Sequence, residues 1–214
     1  MKFRSLVLAS LLLSGAAQAQ DTPDVTEDGL VRVPSSKKVG VYRAPGIPFA
    51  QYRRVIINPS IPVTFRRGWQ REHPELKEDD REKIRADFVR LFLTELEKEL
   101  VERGGFAAAE SPMPDVIRVD ASISALNITA PDAGTTPAER TYTRNAGSMT
   151  LTVELRDAAS GVLIGRIIDF ERTREYQEAQ LVNQVTNEAE FRVGLAAAAR
   201  YTREAINVAK TDRR

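Results

Sequence analysis

One histidine, no cysteine and thirty carboxylates limit the chemistry this chain can perform. His73 stands in Glu72-His73-Pro74-Glu75. A zinc site takes three or four ligands, and no second imidazole or thiolate exists to join it. A Ser-His-Asp arrangement lacks the G-x-S-x-G elbow, so His73 reads as a surface-loop residue. Neither G-x-G-x-x-G nor G-x-x-x-x-G-K-[ST] occurs, so no phosphate cradle, metal or other cofactor is expected. Glu78, Asp79 and Asp80 form an acidic trio. It could bind a cation weakly, but carboxylates at a helix N-terminus more simply oppose the macrodipole. Glycoside hydrolysis needs two facing carboxylates; the sequence singles out no such pair, and no catalytic residue is assigned.

Two clusters mix cations with an aromatic ring. Arg66, Arg67, Trp69 and Arg71 form the first, and Arg140, Tyr142 and Arg144 the second. Trp and Arg are enriched at binding hot spots, which makes both clusters candidate contacts for a protein or glycan partner. The competing reading packs Trp69 on the domain edge while the arginines snorkel. The second cluster lies in the long segment Pro131 to Asn145, whose length marks it as either mobile or functional.

Periodicity supplies the elements that must position these residues. Arg53 to Asn58 is short and β-branched, as a buried strand would be. Beyond Pro59 and Pro62, Ile61 to Phe65 continues only as an edge or bulged extension. Asp79 with Glu82 predicts a capping box, and Ile84, Phe88, Leu91, Phe92, Leu96 and Leu100 form one helical stripe ending at Gly104-Gly105. The opposite face, with Arg85, Glu95, Glu97, Lys98 and Glu102, reads as solvated. Val116 to Ala130 alternates as a half-buried strand, with a phase slip at Leu126 that predicts a bulge. Ser148 to Arg156 alternates again, turns at Ala158 to Gly161 and returns as Val162 to Glu171. Asn187 with Glu190 predicts a second cap, followed by the stripe Phe191, Leu195, Ala198, Thr202, Ala205 and Ala209. The expected fold is α/β of the α+β kind: a mixed four-stranded sheet covered by two helices, in the order β-α-β-β-β-α. A right-handed crossover makes the first two strands parallel.

The N-terminus carries an address. Lys2 and Arg4 precede the apolar run Leu6 to Leu13, and Ala17-Gln18-Ala19 forms an A-x-A cleavage site. Eight apolar residues reach roughly 12 Å as a helix, too short for a hydrocarbon core of about 30 Å. Residues 1–19 are therefore expected to be a signal peptide cleaved after Ala19, and the protein periplasmic. Residues 20–41 read as an extended polar arm that admits a short strand near Val39 to Tyr42, 42–210 as one domain and 211–214 as a frayed tail. No later run is long enough to span a membrane. Without Lys2 and Arg4 the 31 basic residues fall to 29 against 30 acidic ones, a balance that argues against nucleic-acid binding.

Tyr42-Arg43-x-Pro45-Gly46-x-x-Phe49-x-x-Tyr52 precedes Val55-x-Ile57-x-Pro59-x-Ile61. With the helix and the hairpin from Asp157 to Ile164 (D-A-A-S-G-V-L-I), this pattern resembles the family called domain of unknown function 3313. The resemblance runs from Tyr42 to about Ala209. It implies a cell-envelope setting and an α/β fold similar to accessory lipoprotein domains, and it supplies no activity. Many relatives resemble lipoproteins with a lipobox cysteine; alanine stands where that cysteine would fall here. The expected function is an exported, non-catalytic accessory or binding protein contacting an envelope protein or glycan. The alternatives are an envelope glycan hydrolase using an unrecognised carboxylate pair, and a small-ligand carrier with a large apolar cavity.

Overall fold

Three long stretches of apolar alternation build the middle of one sheet, and two amphipathic helices cover one of its faces. The computed structural model describes residues 24–35, 39–129, 131, 141–143, 146–173, 180–182 and 184–211. In chain order the elements are β1 (Val31–Val33), β2 (Val39–Arg43), β3 (Arg54–Ile57), β4 (Val63–Phe65), α1 (Trp69–Glu72), α2 (Glu78–Glu97), β5 (Ala107–Ala108), β6 (Val116–Ile128), β7 (Thr141–Thr143), β8 (Gly147–Asp157), β9 (Leu163–Arg172), β10 (Gln180–Val182) and α3 (Gln184–Thr211). The main sheet runs β1-β2-β9-β8-β6-β3-β5, with β4 beside β6. As expected, β3 lies parallel to β6, and β6, β8 and β9 form an antiparallel meander. The register slip falls between Ser124 and Asn127, where Ala125 takes φ 51°.

The sheet has eight strands rather than four, and a third short helix, α1, joins the two expected among the described residues. β4 falls within the edge extension expected over Ile61 to Phe65, and the strands with no counterpart in the sequence reading are short: β1 has 3 residues and β5 has 2. That is too few for alternation to register. The end of the arm belongs to the sheet: β2 falls on the short strand admitted near Val39 to Tyr42, and β1 extends the sheet beyond it. There β2 pairs with β9 and β1 with β2, while Leu30 and Val39 are buried.

Ile117, Val119, Ala121 and Ile123 of β6 face the helices with Leu151, Val153 and Leu155 of β8 and Ile167 of β9. They meet Phe88, Leu91, Phe92 and Leu96 of α2 and Phe191, Leu195 and Ala198 of α3, with Phe88 and Phe191 edge to face at 5.0 Å. The cap of α2 lies earlier than predicted: the Lys77 N–H donates to the Asp80 carboxylate at 2.9 Å. The helix passes through a wider π turn at Lys98–Glu102 and ends at Gly105, whose φ of +69° suits a left-handed C-cap.

Glu95, expected on the solvated face, is buried instead, and so is Glu99. Glu99 is clamped by Arg203 of α3 at 2.9 Å and by Arg103. Burial alone would raise its carboxyl, but the two guanidinium groups hold it below the usual range. α3 begins at Gln184, ahead of Asn187, and runs through Lys210, whose ammonium sits 3.7 Å above the Phe106 ring. Burial, and secondarily the charge of Arg53, lowers the pKa of Lys210.

The other sheet face is polar. Arg118 and Asp120 of β6, Glu154 and Arg156 of β8 and Arg166 of β9 form a ladder of alternating charge that ends on Asp28.

Candidate functional site, an arginine-lined depression at the sheet edge

β4 leads into α1 through Gly68, whose φ of +87° is a left-handed conformation that other residues adopt at a cost. This turn carries Trp69 inward. The indole is fully buried, stacks on Phe65 at 4.2 Å with 4° between the planes, and donates from Nε1 to the Ile128 carbonyl at 2.9 Å. His73 tilts against the indole at 4.7 Å, and its Nδ1 lies 3.1 Å from Glu75 Oε1. Trp69 is thus no surface contact. It is a pedestal that holds Phe65 in place, which corrects its expected role as a partner-binding residue.

The neighbouring arginines surround Phe65. Arg66, Arg67 and Arg71 line one depression of about 490 Å³ with Arg85, Thr64 and Gln70. Arg85, read from sequence as plain solvated surface, places its guanidinium 5.1 Å from the centre of the Phe65 ring. Its two carboxylate partners are Glu78 at 3.0 Å and Glu82 at 2.5 Å. Arg66 pairs with Glu72 and donates from Nε to Asn127 at 3.1 Å. Arg67 and Arg71 are exposed and have no carboxylate partner among the described residues. Two planar, five-donor forks are therefore available to grip carboxylate, phosphate or sulfate in bidentate fashion. The sequence hint that reaches Arg85 is its place in the second turn of a helix that starts a few residues after the arginine run.

A second groove of about 610 Å³ runs along α2 and shares Val63 and Arg85 with the depression as lining residues. Ile61, Val63, Ala86, Val89 and Leu93 line it with apolar surface, and Glu97 stands among the lining residues of the helix's C-terminal end. Both spaces fall within the range of about 300–1,000 Å³ typical of ligand sites.

Elsewhere, a narrower apolar cleft of about 230 Å³ lies between β2, β9 and the C-terminal part of α3, around Phe49 and Tyr201. It falls below the size of about 300 Å³ at which a carrier pocket begins. Asp169 on β9 faces the helices with one oxygen, Oδ2, left without a hydrogen-bond partner. Burial pushes its carboxyl up against the opposing pull of a hydrogen bond with Glu171. The cavity beside Glu171 and Glu190 is only about 90 Å³, so this carboxylate pair has no room for a sugar ring. No group of three or more histidine and acidic side chains among the described residues is placed to hold a metal ion. Arg140 and Arg144 lie outside the described residues, as do Ala17 and Ala19; Tyr142 sits in β7 opposite Leu181 of β10.

The motif residues behind the family resemblance meet in space. The Tyr52 hydroxyl donates to Asp157 at 3.0 Å, and Asp157 also accepts from the backbone N–H and the hydroxyl of Ser160. Burial first, then Asp157, pushes the Tyr52 phenol up to about 12. These residues lock the β8–β9 hairpin onto the turn after β2. Their role is architectural.

Fold and site together define a two-layer α+β protein with one helix-covered sheet face and an arginine-lined edge. The chain belongs to the family described as "Protein of unknown function (DUF3313)", whose model matches residues 23–201. No curated protein matches it significantly. Among solved structures it is similar to a PDZ domain protein from Parabacteroides distasonis, at 11% identity and a TM-score of 0.40, over 75% of this chain and 34% of that one. It is also similar to the PelC dodecamer from Paraburkholderia phytofirmans, at 8% identity and a TM-score of 0.34, over 76% of this chain and 96% of that one. Among the described residues, no helix is long and apolar enough to cross a membrane.

Proposed function

We propose that this protein is an exported, non-enzymatic binding module of the cell envelope, and that it holds an acidic protein or glycan partner in the depression beside β4. The observation that carries the reading is the pair Arg67 and Arg71, two exposed guanidinium groups without a carboxylate partner among the described residues, beside the Trp69-supported ring of Phe65. A chain with 31 basic and 30 acidic residues has no general cationic surplus, so two neighbouring exposed guanidinium groups beside a fixed ring concentrate positive charge locally. The export half of the proposal rests on the charged start, apolar run and A-x-A site of residues 1–19.

Native protein recovered gently at low salt should carry an anionic partner that elutes as salt rises. An R67E/R71E variant should melt like the wild type and carry none. Retention of the same partner by that variant would overturn the binding site. N-terminal sequencing of the native protein should begin at Gln20; a chain starting at Met1 would overturn export.

A further inference from the structure

The strand that borders the depression has an unused edge. β6 is 13 residues long, and β3 pairs with its first part (Val116 to Val119) while β4 pairs near Ile123 and Leu126. The Ile123 N–H donates to the Pro62 carbonyl at 2.9 Å, and the Arg66 N–H donates to the Leu126 carbonyl at 2.8 Å. Residues 62, 64 and 66 thus turn their backbone groups toward β6. By the alternation of a strand, Val63 and Phe65 turn their N–H and C=O groups the other way, where no described strand pairs with them. Edges are often blunted by proline and charge, and Pro62 and Arg66 flank this one. Blunting alone would require neither a ring fixed in position by a buried tryptophan nor a groove running on along α2.

We propose that β4 accepts an extended acidic segment of a partner protein as an added strand, an inference that rests on the depression being the binding site. Val63 and Phe65 supply the main-chain ladder, and side chains on alternate positions read the two parts of the groove. At the α1 end the segment presents carboxylates to Arg67 and Arg71. Along α2 it presents apolar side chains to Ile61, Val89 and Leu93, where Glu82 and Arg90 are already matched by Arg85 and Asp87 and Glu97 stands at the far end. The stripe from Glu82 to Glu97 spans about 22 Å at 1.5 Å per residue, which accommodates about six or seven extended residues. With only 3 residues in β4, the ladder is short, so the arginines and the apolar wall set the selectivity.

The test uses fluorescent peptides of about seven residues, with two acidic residues followed by alternating valine, against the full mature chain. Controls are the same peptide N-methylated at alternate amides, a lysine-for-acid peptide and a heparin tetrasaccharide. The acidic peptide should bind and shift the Val63 and Phe65 amide resonances; N-methylation and R67E/R71E should each weaken it about tenfold or more, and the lysine peptide should not bind. Arginine-dependent binding that ignores N-methylation and leaves those two amides unshifted would overturn strand addition while leaving the depression in place. Binding of the tetrasaccharide alone would do the same, in favour of a glycan. If no anionic probe binds, or binding ignores R67E/R71E, the depression itself is refuted.

Discussion

Two groups of arginines on this protein are chemically alike and differently engaged. On the open sheet face, Arg156 and Arg166 flank Glu154, and the ladder extends to Asp120 on one side and Asp28 on the other. Each guanidinium there has a carboxylate, and burial of Arg166 is outweighed by its hydrogen bonds to Glu154 and Asp28, so that its pKa is raised. At the β4–α1 edge, Arg66 and Arg85 are likewise paired, but Arg67 and Arg71 are not. The difference teaches that arginine count says little about binding: a charge already matched within the fold has no surplus to offer a partner. Position relative to the nearest carboxylate separates structural from available cations.

The contrast can be broken at its base first. Trp69→Ala removes the stacked pedestal and should destabilise the protein by about 3–5 kcal/mol, with a matching fall in the urea midpoint. Trp69→Phe retains an aromatic ring, loses the bond to Ile128 and should cost about 1 kcal/mol. An alanine variant as stable as wild type would show that Trp69 supports nothing.

On the ladder side, Glu154→Ala leaves two partly buried guanidinium groups facing each other and should cost about 1–3 kcal/mol by chemical denaturation. The same variant should leave anion binding at the depression unchanged. A large loss of binding with no loss of stability would reverse the assignment of the two regions.

The helix-covered face gives a pH signature that neither arginine group provides. Because burial raises the Asp169 carboxyl in the folded state, between the unfolded and the raised folded value the native protein holds a proton that the unfolded chain has released. Stability should fall as pH climbs above the unfolded value of about 4 and through the raised folded value, and it should recover on acidification. Asp169→Asn should therefore melt higher than wild type near neutrality and converge with it near pH 4. Parallel melting curves at both pH values would contradict an uncompensated carboxylate there.

The smallest expected effect on stability is at the depression. R67E/R71E exchanges two exposed side chains with no ion pairs to break among the described residues, so its stability should change by about 0.5 kcal/mol or less by thermal melting.

The long elements were legible because their periods are sustained. Ile117 to Ile123 and Met149 to Leu155 alternate through enough residues to exclude a helix, and the stripes of α2 and α3 recur over several turns. β1 and β5 were not legible, since two or three residues carry no period and their pairing is set by distant strands, whereas the prolines around Ile61 to Phe65 already marked β4 as an edge. The site was half legible. Arg66, Arg67 and Arg71 do line one depression, but a tryptophan among arginines looks like a surface contact until the left-handed turn at Gly68 is known to bury it. Arg85 joins the site only through the packing of α2 against β4. Glu95 looked solvated because the apolar stripe of α2 does not reveal that α3 covers a second strip of the same helix.

The most direct measurement is photocrosslinking in living cells from two positions, one in each region: Gln70 within the depression and Thr152 on the open sheet face among the ladder residues. A partner adduct should form from position 70, disappear in the R67E/R71E background and not form from position 152. Equal adducts from both positions, or an adduct from position 70 that survives R67E/R71E, would contradict the claim that the two unpaired arginines are what this protein uses to bind.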